Sequence, residues 1–163
     1  MSDKKKIIMI DDELDLCLLV KGNLEDTGEF EVLTTSDAPN AAALCQKEMP
    51  DLVLVDNVMP AKKGSEIVKE LRKNAATKGI PIIMVSGKGE MIFSKKKGQF
   101  QWQPNNPVAQ NRGEVVEGKD PEVLAKAYGV DDYISKPFTT ELLLQVIKDV
   151  LERINKQKAE TEE

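Results

Sequence analysis

The sequence predicts an α/β fold, a five-stranded parallel sheet with a helix following each strand. Three observations carry this prediction. Five short runs rich in Ile and Val alternate with five longer stretches of helical period, the pattern that βαβ units produce. Cap and stop residues fall between them: Gly28, Pro39, Asp120-Pro121 and Gly129. With 163 residues and 40% hydrophobic content, the chain can close a single core of ordinary domain size.

The first strand is Lys6 to Ile10, and the helix after it runs from about Glu13 to Asp26, placing Leu14, Cys17, Leu18 and Leu24 on one face before Gly28 stops it. Phe30 to Thr35 is the second strand. Asp37 serves as N-cap with Pro39 in the first turn of a helix reaching Glu48. The third strand, Asp51 to Asp56, is continuously apolar in its middle. It leads through Val58-Met59-Pro60 to a helix from about Ser65 to Asn74. Ile80 to Ser86 is the fourth strand. The next helix start is Asp120-Pro121-Glu122, with the helix ending at Gly129. The fifth strand is Asp131 to Ser135, and the last helix spans about Thr140 to Asn155 with Leu142, Leu143, Val146, Val150 and Leu151 on its apolar face. Residues 1–157 then form one domain, with an inserted loop at 87–119 and a frayed polar tail at 158–163.

Composition removes several function classes. The formal charge of −5 gives no global attraction to nucleic acid or to an anionic membrane. Lys4 to Lys6 precede only four apolar residues before Asp11, Asp12 and Glu13, too few for an export signal, so a cytoplasmic protein is expected. Cys17 and Cys45 have neither disulfide-framework nor zinc spacing. Histidine is absent, which excludes Ser-His-Asp and Cys-His nucleophilic machinery. Chemistry must run on carboxylates, hydroxyls and lysines.

Functional side chains in an open parallel sheet gather at the carboxyl ends of the strands. There this sequence places Asp11-Asp12, Asp56, Ser86 and Lys136. Three converging carboxylates repel one another and lose solvation, so they call for a hard divalent cation, and Mg²⁺ fits because it keeps waters and substrate oxygens beside a few carboxylates. A carboxylate can also attack phosphorus to form an aspartyl-phosphate. The charge spread over the transferring group then needs a cation and donors opposite the metal, which Lys136 and the Ser86 hydroxyl supply.

Asp11-Asp12, the string Asp56-Asn57-Val58-Met59-Pro60 with Gly64 following, Ser86, and Tyr133 ahead of Lys136-Pro137-Phe138 together resemble the receiver domain of bacterial two-component response regulators. The resemblance covers nearly the whole chain apart from one insertion. It implies a doubly wound, flavodoxin-like sheet in the order 2-1-3-4-5 with helices on both faces. It makes Asp56 the phosphoacceptor, Asp11 and Asp12 the acidic pair holding Mg²⁺ with Asp56, and Lys136 the phosphate partner, with the Asn57 backbone carbonyl lent to the metal. Ser86 occupies the hydroxyl position that swings toward the phosphate, and Tyr133 the aromatic position that turns inward with it. The donor would be a histidine kinase or phosphotransfer protein, the output a downstream protein target. No output domain follows the fifth helix, so a stand-alone receiver is expected, a switch and not an enzyme.

Each residue also has a plainer reading. Asp11-Asp12 can be a strand end and cap, Asp56 a turn residue before Pro60, Ser86 a small residue ahead of Gly87, Tyr133 a packing residue, and Lys136-Pro137 a turn with a cis bond. Their joint occurrence in order favours the chemistry. Two other functions stay open. A Mg²⁺-dependent aspartyl-phosphate phosphatase resembles a DxDxT pattern, but the position two after Asp56 is Val58. A receiver-like scaffold would bind partners without being phosphorylated.

Two departures from the family stand out. Strands four and five should be joined by roughly 20 to 25 residues, yet Ser86 and Lys136 are 50 apart. The extra length falls in Gly87 to Lys119, where Lys88, Lys95, Lys96, Lys97, Arg112 and Lys119 face three acids, Glu90, Glu114 and Glu117. This segment is +3 and the remainder −8. Phe100 and Trp102 alternate with glutamines as half a β-hairpin would, and both a mobile polar excursion and a docking element fit. Val58 and Lys88 flank the path of a water attacking the aspartyl-phosphate and cannot readily orient it, which predicts slow self-dephosphorylation.

Overall fold

Five apolar strands pair side by side in parallel, because each can be covered by helices on both faces. The computed structural model describes residues 3–87, 89–94, 99–104 and 121–161. In chain order these form β1 (Lys5–Ile10), α1 (Leu14–Asp26), β2 (Phe30–Thr35), a 3₁₀ turn (Ala38–Asn40), α2 (Ala41–Glu48), β3 (Leu52–Asp56) and α3 (Gly64–Lys73). There follow β4 (Ile82–Ser86), β5 (Gly89–Ser94), β6 (Gln99–Pro104), α4 (Pro121–Tyr128), β7 (Asp132–Ser135) and α5 (Thr140–Thr161).

The main sheet runs β2-β1-β3-β4-β7, the 2-1-3-4-5 order expected, all parallel. Successive side chains of a strand point to opposite faces, and the core divides accordingly. Ile8, Ile10, Val53, Val55, Ile82 and Met84 pack beneath Ala41, Cys45, Ile67, Val68, Leu71 and Ala125 of α2, α3 and α4. Ile7, Met9, Leu52, Leu54, Ile83 and Val85 pack against Cys17, Val20, Leu24, Leu143, Ile147 and Val150 of α1 and α5. β3 lies in the middle, every residue buried, so Asp56 at its carboxyl end is carried to the centre of the sheet edge.

Several boundaries differ from the sequence reading. β4 begins at Ile82, because the Ile80 N–H closes a turn on the Thr77 carbonyl and Pro81 has no N–H to give. Asp37 caps no backbone donor; its carboxylate accepts from the Asn40 side chain, and the 3₁₀ turn containing Pro39 precedes α2. Leu14, Leu18 and Leu142 were expected on buried faces and are exposed. α1 packs along Cys17, Val20 and Leu24, and Leu18 lies about 100° around the axis from Cys17 at 3.6 residues per turn. The last helix, expected to end at about Asn155, continues to Thr161, supported by strong helix formers and a Glu152–Lys156 ion pair one turn apart.

Between β4 and α4, β5 and β6 form a separate antiparallel ribbon in which Met91 stands opposite Trp102 and Phe93 opposite Phe100. The alternation at Phe100 and Trp102 therefore does correspond to a strand. The cap expected at Asp120, and Lys88, Lys95 to Lys97, Arg112, Glu114, Glu117 and Lys119, lie outside the described residues, as does the Ser86 hydroxyl.

Candidate functional site

Chain reversals after β1, β3 and β7 all open at one edge of the sheet, and this brings Asp11, Asp12, Asp56 and Lys136 together. Asp11 is fixed by backbone pairing, its N–H donating to the Thr35 carbonyl as an extension of β1. Its two carboxylate oxygens are both engaged. Oδ1 accepts the Glu13 N–H at 2.9 Å, and Oδ2 accepts the Lys136 ammonium at 2.8 Å. One oxygen from each of Asp11, Asp12 and Asp56 lies within 4.8 Å of the others. The Lys136–Pro137 peptide is cis.

Asp56 is 1% exposed. Its Oδ1 accepts the Val58 N–H at 3.4 Å, while Oδ2 is buried, accepts no hydrogen bond and lies 3.8 Å from Lys136 Nζ. Burial, reinforced by the Asp11 charge and only partly offset by Lys136, pushes the Asp56 carboxyl up to about 7. Burial also raises Asp11, against the opposing hydrogen bond from Lys136. For Lys136 itself burial pulls downward, but the hydrogen bond to Asp11 and the charges of Asp56, Asp11 and Glu13 outweigh it, and its ammonium form is held. Among the described residues, three carboxylates face one buried ammonium. A buried carboxylate oxygen with no donor, facing two further acids, fits a hard divalent cation such as Mg²⁺.

The loop after β3 is held by close packing. The Gly64 N–H donates to the Asn57 carbonyl at 3.0 Å, and the Ser65 N–H to Asn57 Oδ1 at 3.2 Å, so Asn57 ties down the start of α3. A Cβ on Gly64 would stand 2.1 Å from the Asp56 carbonyl oxygen, which only glycine avoids. The same bonds bear on the direction of the Asn57 carbonyl. In a trans peptide the carbonyl points opposite to the following N–H. The Val58 N–H points at Asp56 Oδ1, so the Asn57 carbonyl faces away from the carboxylates and toward Gly64.

Tyr133 is buried and stacked on Tyr128 of α4, ring centres 6.1 Å apart and planes 18° apart. The backbone of Ser86 pairs beside Ser135 at the carboxyl end of β4, one residue beyond the Asp56–Val85 pair. Glu13, to which the sequence reading gave no role in the site, brings Oε1 within 3.3 Å of Lys136 Nζ. Its signal was the third consecutive acid after β1.

A parallel sheet in this order, with an acidic cluster and a lysine at its carboxyl edge, defines the class of aspartate-based phosphoryl switches. The model of the response regulator receiver domain matches residues 7–99, and the chain belongs to that family. It is 32% identical over 91% of its length to the phosphate regulon transcriptional regulatory protein PhoB of Rhizobium meliloti, of which it covers 52%. It is 31% identical, again over 91%, to the alkaline phosphatase synthesis transcriptional regulatory protein PhoP of Bacillus subtilis, covering 49%. The chain thus spans about half the length of these curated relatives. Among solved structures, the chemotaxis protein CheY4 of Vibrio cholerae matches with a TM-score of 0.63 and 28% identity, over 90% of this chain and 98% of that one. The chain is accordingly a phosphoacceptor switch of two-component signalling, a role in which receiver domains work with histidine kinases and downstream effectors and are generally not enzymes. Among the described residues, no helix is long and apolar enough to cross a membrane.

Proposed function

We propose that Asp56 is the residue phosphorylated, that Asp11, Asp12 and Asp56 hold the Mg²⁺ ion, and that Lys136 is the cation paired with the incoming group. The observation that carries this reading is Asp56 Oδ2, buried, without a hydrogen-bond donor, and flanked by two acids and an ammonium. Mg²⁺, when bound, offsets the carboxylate charges and the charge spread over the transferring oxygens. One Asp56 carboxylate oxygen forms the bond to phosphorus as the bond to the donor's imidazole nitrogen breaks, and the nitrogen keeps that electron pair. The chain has no histidine, so the donor is a partner's. Lys136 stays protonated and pairs with a phosphoryl oxygen.

Ser86 is proposed as the hydroxyl that moves toward the phosphoryl group, and Tyr133 as the aromatic that answers it. The stacking of Tyr133 on Tyr128 supports this, because any movement of that ring must reach α4. Output then passes to a protein target through the surface of α4, β7 and α5. Val58 offers no group to orient a hydrolytic water, which supports slow loss of the phosphoryl group and disfavours a phosphatase. Intact mass after incubation with Mg²⁺ and a small phosphodonor tests the assignment. A single phosphoryl adduct in the wild type that is missing from Asp56→Asn is expected, and an adduct persisting in the variant places the acceptor elsewhere.

A further inference from the structure

Lys136 has three carboxylates within reach, and Asp56 is the most distant of them. Its Nζ lies 2.8 Å from Asp11 Oδ2, 3.3 Å from Glu13 Oε1 and 3.8 Å from Asp56 Oδ2. Asp11 belongs to the cluster whose oxygens gather within 4.8 Å, and Glu13 does not. A cation on that cluster competes with Lys136 for Asp11 and leaves Glu13 as the lysine's partner outside the cluster. The Glu13 backbone is anchored, its N–H bonded to Asp11 Oδ1, whereas its side chain is 42% exposed. A half-exposed carboxylate binds an ammonium weakly and releases it cheaply, whereas a phosphoryl dianion in a buried site binds it strongly.

We propose that Glu13 is a positioning residue that holds the Lys136 ammonium on the α1 side of the site until a phosphoryl group on Asp56 draws it across. Glu13 thereby sets how strongly the phosphorylated state is favoured: each phosphoryl group that gains Lys136 must displace Glu13. The inference rests on the assignment of Asp56 and Lys136 made above.

Beryllium fluoride, a tetrahedral phosphoryl mimic, tests it at saturating Mg²⁺, with the dissociation constant measured by calorimetry for wild type, Glu13→Gln and Glu13→Asp. Both variants should bind about two- to fivefold more tightly, the range of a partly exposed ion pair. Glu13→Asp is decisive because it keeps the charge but shortens the side chain, withdrawing the carboxylate from Lys136. If only Glu13→Gln binds more tightly, general charge repulsion explains the effect and the tether is wrong. Weaker binding by both variants also overturns it, because Glu13 would then be helping Lys136 reach the anion. No binding by the wild type would overturn the acceptor assignment itself, and the tether with it.

Discussion

Asp131 and Asp56 belong to opposite ends of the same sheet, and the protein treats them in opposite ways. At the amino end, Asp131 Oδ2 accepts the Ile82 N–H at 2.8 Å and the Arg72 guanidinium at 3.1 Å. Arg72 also donates to the carbonyls of Gly129, Lys78 and Ile80, so this pair fastens α3, the turn before β4, the end of α4 and the start of β7. At the carboxyl end, Asp56 Oδ2 has no donor, and Asp11 and Asp12 crowd it. A satisfied charge serves the fold, and an unsatisfied one is a place prepared for a ligand.

The largest effect should come from disturbing the packing that holds the unsatisfied end in place. Gly64→Ala drives a Cβ into the Asp56 carbonyl oxygen, and no flexible side chain can yield there. A loss of about 3 kcal/mol in urea denaturation is expected, together with loss of the phosphoryl adduct. A variant within about 0.5 kcal/mol of wild type would mean that the loop after β3 is held by something else.

A matched pair of substitutions sharpens the comparison itself. Asp131→Asn removes the charge facing Arg72 and should cost about 1 to 3 kcal/mol, reduced from a fully buried pair because both partners are partly exposed. Asp56→Asn, measured without metal at neutral pH, should stabilise by about 1 to 2 kcal/mol, because it removes a partly ionised buried carboxyl one of whose oxygens lacks a donor. Equal signs for the two would contradict the distinction between the ends.

How much of this was legible in the sequence follows the same division. The main-sheet order and the residues gathered at its carboxyl edge could be read, because strand ends are marked by abrupt changes from Ile and Val to Asp, Ser or Lys. The direction of the Asn57 carbonyl could not be read, because it depends on the Gly64 and Val58 hydrogen bonds across a turn and not on spacing. Leu14 and Leu18 share a plausible helical stripe with Cys17, but which part of that stripe meets the sheet depends on how α1 is rotated against β2 and α5. Arg72 and Glu13 gave little signal because their partners are distant in sequence, Asp131 for one and Lys136 for the other.

The raised Asp56 carboxyl carries the comparison into pH dependence. Its folded value of about 7 lies above the ordinary 3.8, so between these limits the metal-free folded chain keeps a proton that the unfolded chain has released. This group's contribution to stability is therefore complete below about pH 4 and declines as pH rises through about 7, the reverse of a salt-bridged carboxylate. Asp11, also raised, acts in the same direction. The central claim, that the Asp56 carboxylate stays unsatisfied until a cation arrives, is tested most directly by following the Asp56 carboxyl carbon by NMR as a function of pH, with and without saturating Mg²⁺. A midpoint near 7 without metal that falls on adding Mg²⁺ is predicted; an ordinary carboxylate midpoint in the metal-free protein, or one that Mg²⁺ leaves in place, would contradict it.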